Sequence, residues 1–371
     1  MAPRTFFFAG GGTGGHIYPA LAVAEQIVRL DPESKVHFFC SSRDIDSKIL
    51  GRTSFEYTTL PATGFSLRPK CLLSFCRSFL QSCRIARRIL ASAASPTVIG
   101  IGGFVAAPVC LAAHRLKLPL ALLNVDILPG RANRLIARFA NDIFVQFEDT
   151  AQYFNKTSAT VHIVGCPLRS AFENPQPDKA IDRLKLDKNK KTLLVTGASS
   201  GSENINKAVC ALLDKLSAFA DQWQIVHLTG RANFENVKEK YTGAKIAHTV
   251  LDYHDDMADL LAAADLLIGR SGAVSIAEYA AAAVPAICMP YPYHRDRHQY
   301  LNAGKLAEAG AAVIADDLPD EEHRAERLWQ ELRELMKDDR KRQEMKTACK
   351  TIANTHAACE IAQTLLKTSN I

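Results

Sequence analysis

A histidine set directly after a run of glycines invites a chemical reading. In the stretch Phe6–Ile27, Gly10, Gly11, Gly12, Gly14 and Gly15 separate an apolar run from an amphipathic one, and His16 stands where the second begins. Read as strand, loop and helix, this places His16 in the first helical turn, where unsatisfied N–H groups and the helix dipole favour an anion and oppose an imidazolium. A neutral imidazole beside an anion site is suited to take a proton from a hydroxyl, which makes His16 a candidate general base. The position equally suits a histidine that only caps the helix. Gly10, Gly12 and Gly15 also fit the G-x-G-x-x-G spacing of a dinucleotide loop. That reading wants an acidic residue at the end of the next strand. The strand instead ends Cys40-Ser41-Ser42, with Arg43 and Asp44 beyond it.

Two later stretches carry related signals. Thr196–Asn206 reads as a second strand, small-residue loop and helix start, with Ser199 and Ser200 as hydroxyl donors beside backbone N–H groups. In Ala264–Ala303, Arg270-Ser271-Gly272-Ala273 follows a strand and opens a helix that carries Glu278 in its second turn. A carboxylate there is placed to accept both hydroxyls of a ribose. Asp296, His298, Gln299 and Asn302 open the next helix as a polar cluster suited to sugar hydroxyls. Asp44-Ile45-Asp46 has the D-x-D form that chelates a cation on a diphosphate, but with Arg43 adjacent it reads better as a solvated loop.

The elements that must hold these residues alternate. Apolar runs at Thr5–Ala9, Lys35–Cys40, Thr97–Ile101, Leu118–Asn124 and Ile143–Gln146 read as buried parallel strands followed by helices. The series restarts at Lys191–Thr196 and continues through Gln224–Thr229, Lys245–His248, Leu266–Ile268, Ala286–Met289 and Ala312–Ile314. A chain of 371 residues exceeds what one core usually supports. The expected architecture is therefore α/β, with two doubly wound parallel-sheet (Rossmann-like) domains facing a central cleft. The expected divisions are residues 1–164, 165–345, and a last segment, 346–371, whose helix returns to the first domain.

Composition narrows the class. An apolar fraction of 47% with 23% charged residues is that of an ordinary globular protein, and no run reaches 18 uninterrupted apolar residues. Ten cysteines without a CxxC pair read as reduced thiols of a cytosolic protein, and the glycines after Ala9 interrupt any leader-like apolar run. The net charge is only +6, yet Tyr57–Val125 holds no Asp or Glu and eight basic residues. A field of that sign attracts nucleic acid, anionic lipid or a pyrophosphate substrate. Within it Leu72, Phe75, Cys76, Phe79, Leu80, Cys83, Ala86 and Leu90 recur at helical spacing, with Arg77, Arg84, Arg87 and Arg88 interspersed. This is a core-facing helix with a basic outer face, or one that docks on a membrane.

Together the motifs Gly11–His16, Gly102-Gly103-Phe104 with Pro108, Pro129-Gly130 with Asn133, Gly165-Cys166-Pro167-Leu168-Arg169, Arg270–Ala273, Glu278 and His298-Gln299 with Asn302-Ala303 resemble the MurG family of peptidoglycan N-acetylglucosaminyltransferases. The resemblance covers essentially the whole chain. It implies the GT-B fold and an inverting hexosyltransferase that moves GlcNAc from UDP-GlcNAc to the C4 hydroxyl of MurNAc in undecaprenyl-linked lipid I, giving lipid II. It further implies that no cofactor and no catalytic metal is used. The first domain would bind acceptor and an anionic membrane surface, with no nucleic acid partner, at the cytoplasmic face of the inner membrane. The second would bind the donor. Donor contacts would be Thr13 and Gly14, Arg169 and Ser199 near the diphosphate, the His254 backbone on uracil, Ala273 and Val274 near the phosphates, Glu278 on ribose, and His298 and Gln299 on GlcNAc. Acceptor contacts would be Gly12, Gly15, Gly102, Gly103 and Asn133, with His16 as base and Asp126 as the alternative.

The chain departs from the family where it has Leu123-Asn124-Val125-Asp126 in place of His-Glu-Gln-Asn, Phe104 in place of Tyr, and Gly197-Ala198-Ser199-Ser200-Gly201-Ser202 in place of Gly-Gly-Ser-Gln-Gly-Ala. The other readings are a UDP-sugar transferase with another lipid acceptor such as diacylglycerol, a UDP-GlcNAc 2-epimerase, and a UDP-GlcNAc-binding paralogue without catalysis.

Overall fold

The computed structural model describes residues 3–12, 14–64, 69–198 and 200–368. Among them, thirteen strands form two sheets, parallel throughout. The first contains β1 (Thr5–Ala9), β2 (Lys35–Ser41), β3 (Glu56–Leu60), β4 (Pro96–Gly100), β5 (Leu120–Asn124), β6 (Asp142–Val145) and β7 (Thr160–Ile163), in the order β3-β2-β1-β4-β5-β6-β7. The second contains β8 (Lys191–Thr196), β9 (Trp223–Leu228), β10 (Ala247–Leu251), β11 (Leu266–Gly269), β12 (Ala286–Cys288) and β13 (Ala312–Ile314), in the order β10-β9-β8-β11-β12-β13. In each sheet the order reverses beside the first strand, between β1 and β4 and between β8 and β11. Ligands of doubly wound sheets bind at such switch points, outside the carboxyl ends of the strands. The loops that follow β1, β4, β8 and β11 are the ones that carry the glycine motifs.

Two strands escaped the sequence reading, β3 and β7. Both are sheet edges and largely exposed. A largely exposed edge strand has little reason to carry a continuous apolar run, so periodicity does not reveal it. The inner strands are the opposite case: all five residues of β1 and of β5 are buried, as expected where helices cover both faces.

The chain forms two compact units, Met1–Arg169 with His356–Ile371, and Ser170–Thr355. The divisions fall later than the expected 164/165 and 345/346. The helix Asp339–Ile352 stays with the second unit, where it packs on the helix Ala273–Ala281. There the buried Cys349 thiol contacts the carbonyls of Val284 and Ala311. Only the helix Ala357–Thr368 returns. It packs on the helix Gly14–Leu30, and Arg4 Nη1 donates to the Leu366 carbonyl at 2.6 Å.

A histidine in the middle of β9 is unexpected in a core. His227 is fully buried, with Nε2 3.0 Å from Asn206 Oδ1 and Nδ1 2.9 Å from the Tyr241 hydroxyl. Asn206 Nδ2 donates to the Thr229 carbonyl, so its Oδ1 accepts and His227 carries its proton on Nε2. Burial lowers the imidazole pKa from 6.5 to about 3. The unfolded chain therefore takes up this proton first. The contribution to stability is complete above about 6.5 and is lost as pH falls toward 3. His227→Gln, which keeps a donor and an acceptor but does not titrate, should flatten the fall of the unfolding midpoint across that window. Denaturant unfolding of both proteins at a series of pH values checks this, and parallel curves would refute it.

Candidate active site

In the first unit the loop after β1 is held from beneath. Asp46, in the helix Asp44–Leu50, is fully buried. Its carboxylate accepts the Gly12 N–H at 2.9 Å on both oxygens, the Ser41 N–H at 2.9 Å and the Ser41 hydroxyl at 2.6 Å. The solvated-loop reading of Asp44-Ile45-Asp46 is thus corrected: Asp44 is exposed, while Asp46 is a buried clamp. Gly11 makes the approach possible, since a Cβ there would stand 2.2 Å from Asp46 Oδ2. Arg43 Nη1 donates to the Gly12 carbonyl at 3.0 Å. Both backbone polar groups of Gly12 are therefore engaged within the unit, so Gly12 shapes the loop and does not offer the acceptor an N–H. Thr13 lies outside the described residues. Gly14 and Gly15 open the helix, with Gly15 exposed.

His16 is half-buried, with Nδ1 3.2 Å from the Gly11 carbonyl. A carbonyl only accepts, so Nδ1 is the donor and Nε2 is the acceptor nitrogen of the neutral ring. The Nε2 edge faces the loop after β4. A Cβ on Gly102 would lie 3.3 Å from His16 Nε2 and 3.0 Å from Asn133 Oδ1, and Gly102 and Gly103 have φ of +126° and +73°. Gly102, Gly103, Asn133 and His16 thus border one space in the first unit. Asn133 is buried, and its Nδ2 donates to Asn124 Oδ1 at 2.8 Å. Asn124 Nδ2 donates in turn to the Asp126 carbonyl at 2.6 Å. Asn133 Oδ1 is a buried acceptor with no partner among the described residues. A substrate hydroxyl would satisfy it. Asp126 joins this chain through its backbone, and its side chain is half-buried.

In the second unit the loops after β8 and β9 run backbone against backbone. A Cβ on Gly201 would stand 2.1 Å from the Thr229 carbonyl oxygen, and one on Gly230 2.4 Å from that of Ser200. Ser202 caps the helix Glu203–Ala211 by accepting the Ile205 N–H, and it accepts Arg270 Nη2 at 2.7 Å. Arg270 is buried; it also donates to the Met289 carbonyl and pairs with Asp317 at 2.8 Å. Asp317, fully buried, pairs with Arg324 at 2.7 Å and accepts Asn204 Nδ2 at 2.9 Å. Arg270 thereby ties together the loops after β8, β11 and β12. Ser199 lies outside the described residues. Arg169, expected beside the donor diphosphate, belongs to the first unit, where its guanidinium lies 4.8 Å from the Tyr18 ring centroid.

Gly272 caps the helix Ala273–Ala281 with extended backbone and no side-chain bond, so the N–H groups around Ala273 and Val274 suit a phosphate. Glu278 is half-buried one turn on. Ser271 donates to the Gln299 carbonyl at 2.9 Å, and buried Asn302 donates to the Ser271 carbonyl. Gln299 Oε1 accepts the Tyr291 N–H at 2.9 Å, which turns its amide nitrogen into the end that can reach a sugar oxygen. His298 has Nδ1 2.8 Å from Asp296 and Nε2 3.0 Å from His294 Nδ1. His294, Asp296 and His298 bring ligand atoms within 4.8 Å of one another, a grouping that could hold a metal ion. His254, after β10, is buried, and burial lowers its pKa.

Sequence reasoning missed Asp46, Asn124 as a donor to the Asp126 carbonyl, and the Asp317 network. Each acts through tertiary contacts that no local pattern announces.

Two Rossmann-like units with glycine-bearing turns at their switch points, a histidine opening the helix in one and a carboxylate on the helix after β11 in the other, fit the GT-B class of fold. The chain belongs to glycosyltransferase family 28: residues 6–145 match the family's N-terminal domain and residues 192–365 its C-terminal domain. It is 31% identical over 367 residues, 97% of this chain and 98% of the relative, to the UDP-N-acetylglucosamine--N-acetylmuramyl-(pentapeptide) pyrophosphoryl-undecaprenol N-acetylglucosamine transferase of Thermodesulfovibrio yellowstonii. Identity to the protein of that name from Halothermothrix orenii is 34% over 366 residues, 94% of this chain and 95% of the relative. In fold it is similar to the crystal structure of Acinetobacter baumannii MurG, with a TM-score of 0.71 over 98% of this chain and 100% of that one, at 24% identity.

If Glu278 holds the donor ribose, Glu278→Ala removes a charge-assisted hydrogen bond worth about 1.5–3 kcal/mol, roughly tenfold to a hundredfold in affinity. UDP and UDP-GlcNAc should weaken together by that factor with the unfolding midpoint unchanged. Unaltered UDP affinity by calorimetry would remove Glu278 from the site.

Proposed function

We propose that this chain transfers GlcNAc from UDP-GlcNAc to the C4 hydroxyl of MurNAc in undecaprenyl-diphospho-MurNAc-pentapeptide, converting lipid I to lipid II. The observation that carries the reading is near-full-length identity of 31–34% to relatives named for that transfer. The geometry of His16 agrees with it. In this reading His16 Nε2 takes the proton of the attacking hydroxyl as its oxygen bonds to the anomeric carbon from the face opposite UDP, inverting that centre. UDP departs with the bonding pair. Its charge is met by N–H groups at the starts of the helices Glu203–Ala211 and Ala273–Ala281, preorganised donors that need no catalytic metal. Asn133 Oδ1 orients the acceptor sugar.

Purified protein should elongate lipid I and leave diacylglycerol unchanged. His16→Ala should lower kcat about 10²–10⁴-fold while UDP-GlcNAc still binds. Transfer to diacylglycerol alone, or hydrolysis of UDP-GlcNAc without transfer, would overturn the acceptor. Turnover within a few fold of wild type in His16→Ala would leave the histidine a cap.

The same reading makes the enzyme a peripheral protein of the cytoplasmic membrane face. No helix among the described residues is long and apolar enough to cross a membrane. The helix Pro69–Ser92 offers a docking face of divided character. Cys83, Ala86 and Leu90 are buried, and the Cys83 thiol donates to the Pro108 carbonyl. Leu72, Leu73 and Leu80 are exposed by 37%, 75% and 53%, with Arg77, Arg84, Arg87 and Arg88 also exposed. One end of the stripe is therefore core, and the other is apolar surface flanked by positive charge. Each basic residue near an anionic bilayer contributes about 1 kcal/mol. Co-sedimentation with anionic liposomes should be strong and salt-sensitive, and Leu73→Glu should weaken it. Equal partition to neutral vesicles would contradict electrostatic docking.

A further inference from the structure

The clamp beneath the first glycine loop and the candidate base are joined by a single peptide group. The Gly12 N–H that donates to Asp46 and the Gly11 carbonyl that accepts from His16 Nδ1 are the two ends of one amide. We propose that Asp46 is a positioning residue that sets the tautomer and orientation of His16 through the Gly11–Gly12 peptide bond. The proposal rests on the reading of His16 as the base.

The physical argument is polarisation in series. A carboxylate drawing on an amide N–H increases the negative charge on the amide oxygen, and successive hydrogen bonds strengthen one another where the dielectric is low. Asp46 is fully buried, and its contacts are N–H and O–H donors rather than a cation, so its charge is left to act along the relay. The Gly11 carbonyl then holds the proton of His16 on Nδ1, and Nε2 faces the space beside Gly102 and Asn133 as the basic nitrogen. In a Ser-His-Asp triad a buried carboxylate does this by touching the imidazole directly. Here one amide stands between them.

Two glycines keep the relay open at its ends. A Cβ on Gly11 would collide with Asp46 Oδ2 at 2.2 Å, and one on Gly103 would press on the Gly11 carbonyl at 3.1 Å. Arg43 holds the next carbonyl, that of Gly12, so the loop cannot rotate this peptide without losing a second contact.

The test uses full-length protein labelled with ¹⁵N-histidine. The His16 resonances, identified by their loss in His16→Ala, should show the proton on Nδ1. In Asp46→Asn the signal should shift toward a mixture of tautomers. Turnover with lipid I should fall about 10–100-fold, the range typical for loss of an outer-shell partner of a metal-bound histidine. UDP affinity should not change, and in a His16→Ala background Asp46→Asn should cost nothing more. A wild-type proton on Nε2 would overturn the proposal, and that result does not require Asp46→Asn to fold. So would an equal loss from Asp46→Asn with and without His16, which marks a purely structural clamp. Wild-type turnover in His16→Ala would sink the base assignment alone; an Nδ1 proton lost in Asp46→Asn would still uphold the relay.

Discussion

A fully buried carboxylate underlies each of the two loops at the sheet switch points, and the geometry of the candidate site depends on both. Taking a carboxylate out of water costs several kcal/mol unless hydrogen bonds and charges replace its hydration. Asp46 is compensated by two backbone N–H groups and a hydroxyl, Asp317 by two guanidinium groups and an amide. Each arrangement strands a charge if one partner moves, so the attached loop has one acceptable position. The electrostatic outcomes differ. Two arginines against one carboxylate leave positive charge beneath the loops expected to meet a diphosphate. A carboxylate met only by neutral donors leaves negative charge behind the loop that holds the histidine. The two units share a fold but compensate the buried carboxylate beneath the loop differently.

Glycine is the other half of this constraint. Gly11, Gly201 and Gly230 sit where a Cβ would fall within 2.5 Å of a neighbouring oxygen. Backbone can approach carboxylate or backbone this closely only where side chains are absent. The motif is therefore a record of close approach before it is a record of ligand binding. Gly12 shows why the two should be separated, because both of its polar groups are turned inward.

How much of this was legible follows from where the determinants lie. The inner strands announce themselves because burial on both faces demands continuous apolar runs, as in Thr5–Ala9 and Lys191–Thr196. The edges β3 and β7 do not, because most of their residues stay partly or fully exposed. The placement of the glycine loops, of His16 in a first helical turn and of Glu278 on the helix after β11 was legible because the step from strand to helix shows in local sequence. Asp46 was misread for the converse reason: a carboxylate three residues after Arg43 looks solvated until Gly12 and Ser41 are folded onto it. The stripe on Leu72–Leu90 looked uniform because helical periodicity reports which residues share a face, not where along the axis the neighbouring helix ends. Arg169 was assigned by its place in a motif near the boundary, and the chain divides one residue later than it.

The altered strand end at Leu123–Asp126 has a structural meaning that its residue types alone do not convey. Leu123 is buried core, and Asn124 is buried with both ends of its amide engaged, to Asn133 and to the Asp126 carbonyl. Leu123 and Asn124 do not titrate, so this strand end carries an amide chain whose hydrogen bonds do not change with protonation. Asn133 is thereby held with one acceptor turned toward the space that His16 Nε2 borders. Under the proposed function, holding the acceptor sugar and accepting its proton would fall to different side chains. The holding would be done by neutral amides, and the proton transfer would be left to the imidazole whose Nδ1 faces the loop beneath it.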